Sequence, residues 1–297
     1  MNRATPRVAV VVTTHHATDA LERCLRALDD GGGVHAVIVV DNGGDATIEE
    51  SATRVLVRPT TNDGFGAAAN TGFAHARRFD ADVIVLLNDD VYVEPGWLAP
   101  LTSTLLASED FGAAQPMLVL DATTPVEINS LGVAIGGDGA GVDIGFGTTA
   151  ADASLESREI EVFTGGAVAF RPQFLTSVGG FDERYFLYYE DVDLARRGAA
   201  AGWRYMCVPA SVVVHGKGTS TSVLGDRLVY LRERNRLWSA FRNEPTRTIV
   251  GAVWLSMRRV RHAPRAVHAR ALISGVLGGV RRSAERIVAG RRRRNGR

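Results

Sequence analysis

Asn88-Asp89-Asp90 sets two adjacent carboxylates at the end of five consecutive apolar residues, Val83 to Leu87. Neighbouring aspartates repel one another unless hydrogen-bond donors or a cation compensate them. Mg2+ or Mn2+ shared with a diphosphate does this, because these ions favour few carboxylates together with phosphate oxygens. A polar strand end capping the next turn is the structural alternative. A second acidic cluster runs through Phe181-Asp182-Glu183-Arg184-Tyr185-Phe186-Leu187-Tyr188-Tyr189-Glu190-Asp191-Val192-Asp193-Leu194. Aromatics suit stacking on a sugar ring and carboxylates supply bases; a solvated helix start over core aromatics is the plainer reading. His215 closes the run Val212-Val213-Val214, where metal ligation, diphosphate binding and an ordinary structural role are all open to it. Lys217, the only lysine, fits a phosphate contact or an exposed glycine-flanked turn.

These groups need elements to bring them together, and the first half of the chain supplies a βαβ rhythm. Strands are expected at Val8 to Val12, Ala36 to Val40, Val55 to Val57 and Asp82 to Leu87, with helices at Ala20 to Leu28 and Gly64 to Phe79. That order predicts an α/β fold with a parallel, doubly wound sheet and right-handed crossovers. In such a sheet ligands sit at the carboxyl ends of the strands. Asp41-Asn42 ends the second strand there, where Asp41 either accepts hydrogen bonds from a base or ribose or closes an Asx turn with Gly43-Gly44. Thr13-Thr14-His15-His16 occupies the first turn, and the dinucleotide fingerprint GxGxxG is absent from it. Asn62-Asp63-Gly64-Phe65-Gly66, with Asn70 and Gly72, is a glycine-rich helix entry that permits close backbone approach to a ligand or tight packing.

Farther on, Asp121 to Glu159 is rich in Gly, Asp and Thr and reads as an irregular or hairpin-containing insertion, mobile until something binds. Regular structure is expected again at Glu161 to Phe170, as a helix over Asp182 to Arg197, as strands at Tyr205 to Val208 and Ser211 to Val214, and as a helix over Arg227 to Arg242.

The chain has 297 residues, 45% of them hydrophobic and 23% charged, the balance of a globular protein. Cys24 and Cys207 form no zinc or redox spacing and fit small core positions in a reducing compartment. Met1 to Arg7 leads directly into a strand without a signal-peptide pattern, and no run reaches the roughly 18 to 20 apolar residues that span a bilayer. The net charge of +1 conceals an asymmetry: Leu255 to Arg297 holds 13 arginines against one acid, Glu285. An acidic body with a basic tail favours an anionic membrane surface as partner. Nucleic acid is not expected, since no recognition motif is present. Two apolar runs in the tail, Ile249 to Met257 and Ala271 to Val280, are flanked by arginines as in amphipathic interfacial helices; a solvated helical cap with a disordered Arg291-Arg292-Arg293-Arg294 end is the plainer reading.

Taken in order, Thr13-Thr14-His15, Val40-Asp41-Asn42, Asn62-x-Gly-Phe with Asn70, Leu87-Asn88-Asp89-Asp90-Val91, Gly165-Gly166, Gly179-Gly180-Phe181-Asp182-Glu183 and Tyr189-Glu190-Asp191-Val192-Asp193-Leu194 through to His215 resemble family 2 glycosyltransferases, in particular the bacterial rhamnosyltransferase-like branch. The resemblance covers about residues 7 to 240. It implies a GT-A fold over residues 1–242, with a nucleotide-sugar half to about 120 and an acceptor half from 121, followed by a basic helical tail over 243–297.

The resemblance further implies inversion at the anomeric carbon, a nucleotide-sugar donor and a divalent metal, Mg2+ or Mn2+. Thr13, Thr14, His15, Asp41, Asn62, Gly64, Asn70, Asn88, Asp89 and Asp90 fall on the donor side, with Asp41 at the base. Asp90 and His215 fall at the metal, Asp191 at the position of the catalytic base, and Gly165, Gly166, Tyr189 and Glu190 on the acceptor side. Asn88 replaces the family's usual first aspartate, and His15 stands where asparagine is common. The implied reaction moves rhamnose from dTDP-rhamnose to a cell-envelope polysaccharide or polyprenyl-linked glycan, from a cytoplasmic site on the inner face of the membrane. A UDP-sugar donor (galactofuranose or N-acetylglucosamine) and a non-catalytic nucleotide-sugar scaffold are the alternatives.

Overall fold

Three all-apolar runs build the centre of the sheet. β1 (Val8–Thr14), β2 (Ala36–Asp41) and β4 (Val83–Asn88) are buried almost throughout, because helices cover both faces. Alternate side chains feed opposite cores. Val11, Ile38 and Leu86 join the side packed by α2 (Phe65–Ala76), and Val10, Val39 and Val85 join the side packed by α1 (Asp19–Gly31). Gly72 lets α2 approach closely, since a Cβ there would stand 2.2 Å from a Val11 methyl. The computed structural model describes residues 5–16, 19–216 and 224–295, with side chains placed up to 285; Lys217 lies outside the described residues.

The main sheet runs β3-β2-β1-β4-β11-β6-β12-β10, where β3 is Arg54–Val57, β6 Phe111–Leu120, β10 Arg158–Ile160, β11 Ala167–Phe170 and β12 Arg204–His215. Its first four strands are parallel, as the βαβ rhythm predicts. β11 then enters antiparallel between β4 and β6, while β6 and β12 run parallel, so the sheet is mixed beyond β4. Short β5 (Val91–Val93) and β7 (Ile128–Ser130) pair with β12 and β6 at the same end. β8 (Val133–Ile135) and β9 (Gly141–Asp143) form a separate hairpin. The stretch from Asp121 to Glu159 thus contains three short strands, two of them in a hairpin.

Register places the chemistry. Thr14 pairs with Asp41 across β1 and β2, and Thr13 with Asn88 across β1 and β4. The four polar residues therefore line one edge.

Three expectations are corrected. The helix expected over Asp182 to Arg197 is only α5 (Glu190–Ala199), preceded by a 3-10 turn at Glu183–Tyr185 and a loop with three positive-φ residues, Phe186, Tyr188 and Tyr189. Left-handed backbone cannot continue a helix. The two strands expected at Tyr205 to Val208 and Ser211 to Val214 are one strand, because β6 continues as partner on both sides of a bulge between Val208 and Val212. The regular segment expected at Glu161 to Phe170 shortens to β11.

The tail is helical and docked. α6 (Gly225–Asn243), α7 (Thr246–Arg259) and α8 (Arg265–Asn295) follow one another. Gly275, Gly278 and Gly279 of α8 approach Leu237, Trp238 and Phe241 of α6 more closely than a Cβ would allow. Glu285, the one acid after Leu255, pairs with Arg184 at 3.0 Å and ties α8 to the 3-10 turn ahead of α5.

Candidate active site

The donor-side edge is assembled by turns that grip one another. Thr14 Oγ1 donates to Asp89 Oδ2 at 2.6 Å. Burial pushes the Asp89 carboxyl up to about 6 against that hydrogen bond, and the charge of Asp90 adds to the rise. Asn62 Oδ1 accepts from Gly64 N (3.0 Å) and from Asn42 Nδ2 (2.8 Å), and its Nδ2 approaches His15 at 3.4 Å. His15, Asn42 and Asn62 thereby join the turns after β1 and β2 to the entry of α2. Gly64 sits at φ 97°, and a Cβ there would stand 2.1 Å from Phe186 O.

Asp41, 1% exposed, takes the Asx-turn form. Its Oδ1 accepts from Gly43 N (3.1 Å) and Gly44 N (2.7 Å), its Oδ2 from Ala46 N (2.8 Å), and Arg58 lies 3.5 Å away. It shapes the loop after β2 through three backbone amides. Asn70 is likewise drawn away from the edge: its amide bonds both N and O of Phe181 and donates to Glu183.

Asp90 and His215 meet at the end of the antiparallel pair β5–β12. His215 Nε2 lies 3.5 Å from Asp90 Oδ1, and Nδ1 lies 2.9 Å from Asn129 Oδ1. Asp90 Oδ1 and Asn88 Oδ1 are both buried without a hydrogen-bond partner. A buried carboxylate oxygen left so is costly unless a cation or donor compensates it. No cluster of three or more His, Cys, Asp or Glu converges among the described residues; the candidate donors that face one another are Asp90 and His215. That donor set fits a hard ion that completes its sphere with phosphate oxygens and water.

On the opposite wall, Gly165 N donates to Asp191 Oδ2 (3.0 Å) and Val192 N to Asp191 Oδ1 (2.8 Å). Gly166 O accepts from Asn88 N at 3.0 Å. The Gly165-Gly166 turn thus spans from the Asp89-Asp90 edge to Asp191. Burial raises the Asp191 carboxyl against those two amides, and Asp143 raises it further. Glu190, 5% exposed, faces the interior beside Gly66, and burial followed by the Asp191 charge holds its pKa well above the ordinary range. Of the two acids, Asp191 is the half-buried one. Tyr189 Oη accepts from Gly141 N at 3.3 Å and fastens the β8–β9 hairpin to this wall.

Three contributors escape the sequence reading. Asn129 contacts His215. Asp143, raised by burial and held back by Ser130 and His215, in turn raises the Asp191 carboxyl. Both belong to the Gly-, Asp- and Thr-rich stretch, where no periodicity marks a buried polar group. The third, Asn235 of α6, is fully buried and donates to the carbonyls of Tyr185 (2.9 Å), Leu187 (2.8 Å) and Tyr188 (2.8 Å). An acid-and-arginine-rich helix gave no reason to single it out.

The model of the glycosyltransferase-like family 2 matches residues 6–240, and the chain belongs to that family. It is a glycosyltransferase of GT-A-like α/β fold. Over 236 residues it is 30% identical to the N-acetylglucosaminyl-diphospho-decaprenol L-rhamnosyltransferase of Mycobacterium tuberculosis, covering 71% of this chain and 76% of that one. It is 26% identical over 237 residues to the O-antigen biosynthesis protein RfbC of Myxococcus xanthus, 73% of this chain but 18% of that one. Among solved structures, GalNAc-T7 with UDP, GalNAc and Mn2+ superposes with a TM-score of 0.67 at 12% identity, over 91% of this chain and 55% of the other. A mannosyltransferase of Pyrobaculum calidifontis with GDP-Man and Mn2+ gives 0.58 at 20% identity, over 96% and 79%. Likenesses at that identity carry the fold alone.

Proposed function

We propose that the protein is an inverting, metal-dependent rhamnosyltransferase using dTDP-rhamnose, with a hydroxyl of a polyprenyl-linked or cell-envelope glycan as acceptor. The observation that carries the metal-dependent part is the buried, unpartnered Asp90 Oδ1 facing His215 Nε2. The sugar and the lipid-linked acceptor are supported by the mycobacterial relative.

In this reading the nucleotide lies along the edge made by Thr13, Thr14, His15, Asp41, Asn62, Gly64 and Asn88 to Asp90, with Asp41 and Asn70 acting through the loops they hold. Asp90 and His215 would hold Mg2+ or Mn2+, which when bound supplies positive charge to the departing diphosphate. Asp191 accepts the proton of the acceptor hydroxyl from the side opposite the diphosphate, so one in-line displacement inverts the anomeric carbon. The Gly165 and Val192 amides fix both carboxylate oxygens of Asp191 in place, while burial keeps the group basic enough to take a proton. Gly165, Gly166, Tyr189 and Glu190 shape the acceptor wall, Glu190 from beneath.

The tail completes the reading with an anionic membrane surface. Val250, Trp254 and Met257 on α7, and Ile273, Leu277 and Val280 on α8, recur at i, i+4, i+7 and are each more than half exposed. Arginines flank both sets, the composition of an interfacial helix. No helix among the described residues is long and apolar enough to cross a membrane.

A thermal-shift panel of dTDP, dTDP-rhamnose, UDP and UDP-sugars, with and without Mn2+, tests the donor. A Mn2+-dependent shift with the dTDP compounds and none with UDP is expected. The reverse pattern would replace rhamnose with a UDP-sugar.

A further inference from the structure

Asn129 stands on β7 with its Oδ1 2.9 Å from His215 Nδ1. An amide oxygen has no hydrogen to give, so the contact is a hydrogen bond only when Nδ1 carries one. A neutral imidazole has a single N–H, which leaves Nε2 with its lone pair exposed. That lone pair faces Asp90 Oδ1 at 3.5 Å, and Oδ1 is buried without a hydrogen-bond partner. Two acceptors thus confront one another, an arrangement that a cation between them satisfies.

We infer that Asn129 is a positioning residue, fixing His215 as the Nδ1–H tautomer and turning Nε2 toward Asp90. The inference rests on the reading of Asp90 and His215 as the metal-holding pair. Three strands hold the arrangement rigid. β7 and β12 are both hydrogen-bonded to β6, through Leu118 with Ser130, Val119 with Ile128 and Leu120 with His215. His215 also pairs with Val91, the residue after Asp90. Partners of this kind set the ring orientation of ligating histidines, and removing one weakens metal binding about 10- to 100-fold.

The test uses the full chain labelled with 15N-histidine. The ring nitrogens of His215 are assigned by their disappearance in His215→Gln, at a pH where imidazole is neutral. The wild type should show Nδ1 protonated and Nε2 bare. Asn129→Ala should lose that preference, whereas Asn129→Asp, which still accepts, should keep it. Mn2+ titrations with dTDP, read by electron paramagnetic resonance, should weaken about 10-fold in Asn129→Ala and stay near wild type in Asn129→Asp. A wild-type ring protonated at Nε2 or at both nitrogens overturns the role of Asn129. An Asn129→Ala protein that keeps both the tautomer and the Mn2+ affinity does so as well. A wild type that binds no Mn2+ overturns the metal reading instead, and the tautomer spectrum alone then judges Asn129.

Discussion

The two walls of the crevice are held in different ways. The donor-side wall stands on strands paired residue by residue, and its loops close through short-range bonds such as those of Asp41 to Gly43, Gly44 and Ala46. The wall that carries Asp191 follows a loop with Phe186, Tyr188 and Tyr189 at φ near +68°, a conformation that costs roughly 1 to 3 kcal/mol per non-glycine residue. That loop is clamped from outside by Asn235 and Arg234 of α6, whose donors reach the Tyr185, Leu187 and Tyr188 carbonyls. The wall proposed to seat the nucleotide is therefore as stiff as the sheet, while Asp191, the proposed base, is placed only as well as a later helix places it. Damage to α6 should reach transfer before it reaches nucleotide binding.

The comparison breaks most sharply at Asp191. Asp191→Asn keeps the shape and removes the proton acceptor, so transfer should fall about 10^3-fold, within the range of general-base losses. A purified variant that turns over like wild type would remove Asp191 from the role.

Next in size is the clamp. Asn235→Ala leaves the Leu187 and Tyr188 carbonyls without the Asn235 amide in a strained loop, while Arg234 still reaches Tyr185, a destabilisation of about 2 to 4 kcal/mol. Denaturant unfolding should show that loss, and transfer should drop while calorimetric affinity for dTDP with Mn2+ stays unchanged. Equal loss of both would mean that the walls are not independent.

A smaller effect concerns pH. In the proposed role Asp191 acts as the carboxylate, and its raised pKa should move the acidic limb of the transfer profile above that of an ordinary aspartate. Asp143→Asn removes a negative neighbour, lowers the Asp191 pKa and should shift that limb to lower pH. An unmoved limb would show that Asp143 does not act on the base.

The smallest change in stability is expected at the tail. Trp254→Glu alters an exposed side chain, so unfolding should change by no more than about 0.5 kcal/mol, yet flotation with anionic vesicles should fall. Undiminished flotation would take α7 out of the membrane contact.

The same division explains what the sequence made legible. Val8 to Val12 and Val83 to Leu87 announce buried strands because apolar runs between turn residues have few other uses, and the strand-end positions of Thr14, Asp41 and Asn88 follow from them. The loop ahead of Asp191 carries acids and arginines in the order that suits a helix dipole, so the sequence alone predicts helix there. What prevents the helix, Asn235 bonding carbonyls some fifty positions earlier, leaves no local trace. Asn129 and Asp143 were hidden for the same reason: their partners, His215 and Asp191, are distant in sequence and near only through the sheet.

The most direct measurement of the central claim is calorimetric titration of dTDP with Mn2+ into Asp90→Ala and Asp191→Asn, beside wild type. If the metal-diphosphate seat and the base are separate devices on separate walls, Asp90→Ala loses about 10- to 100-fold in metal-dependent affinity and Asp191→Asn binds as wild type does. Equal binding by Asp90→Ala and wild type, or equal weakening in both variants, would contradict it.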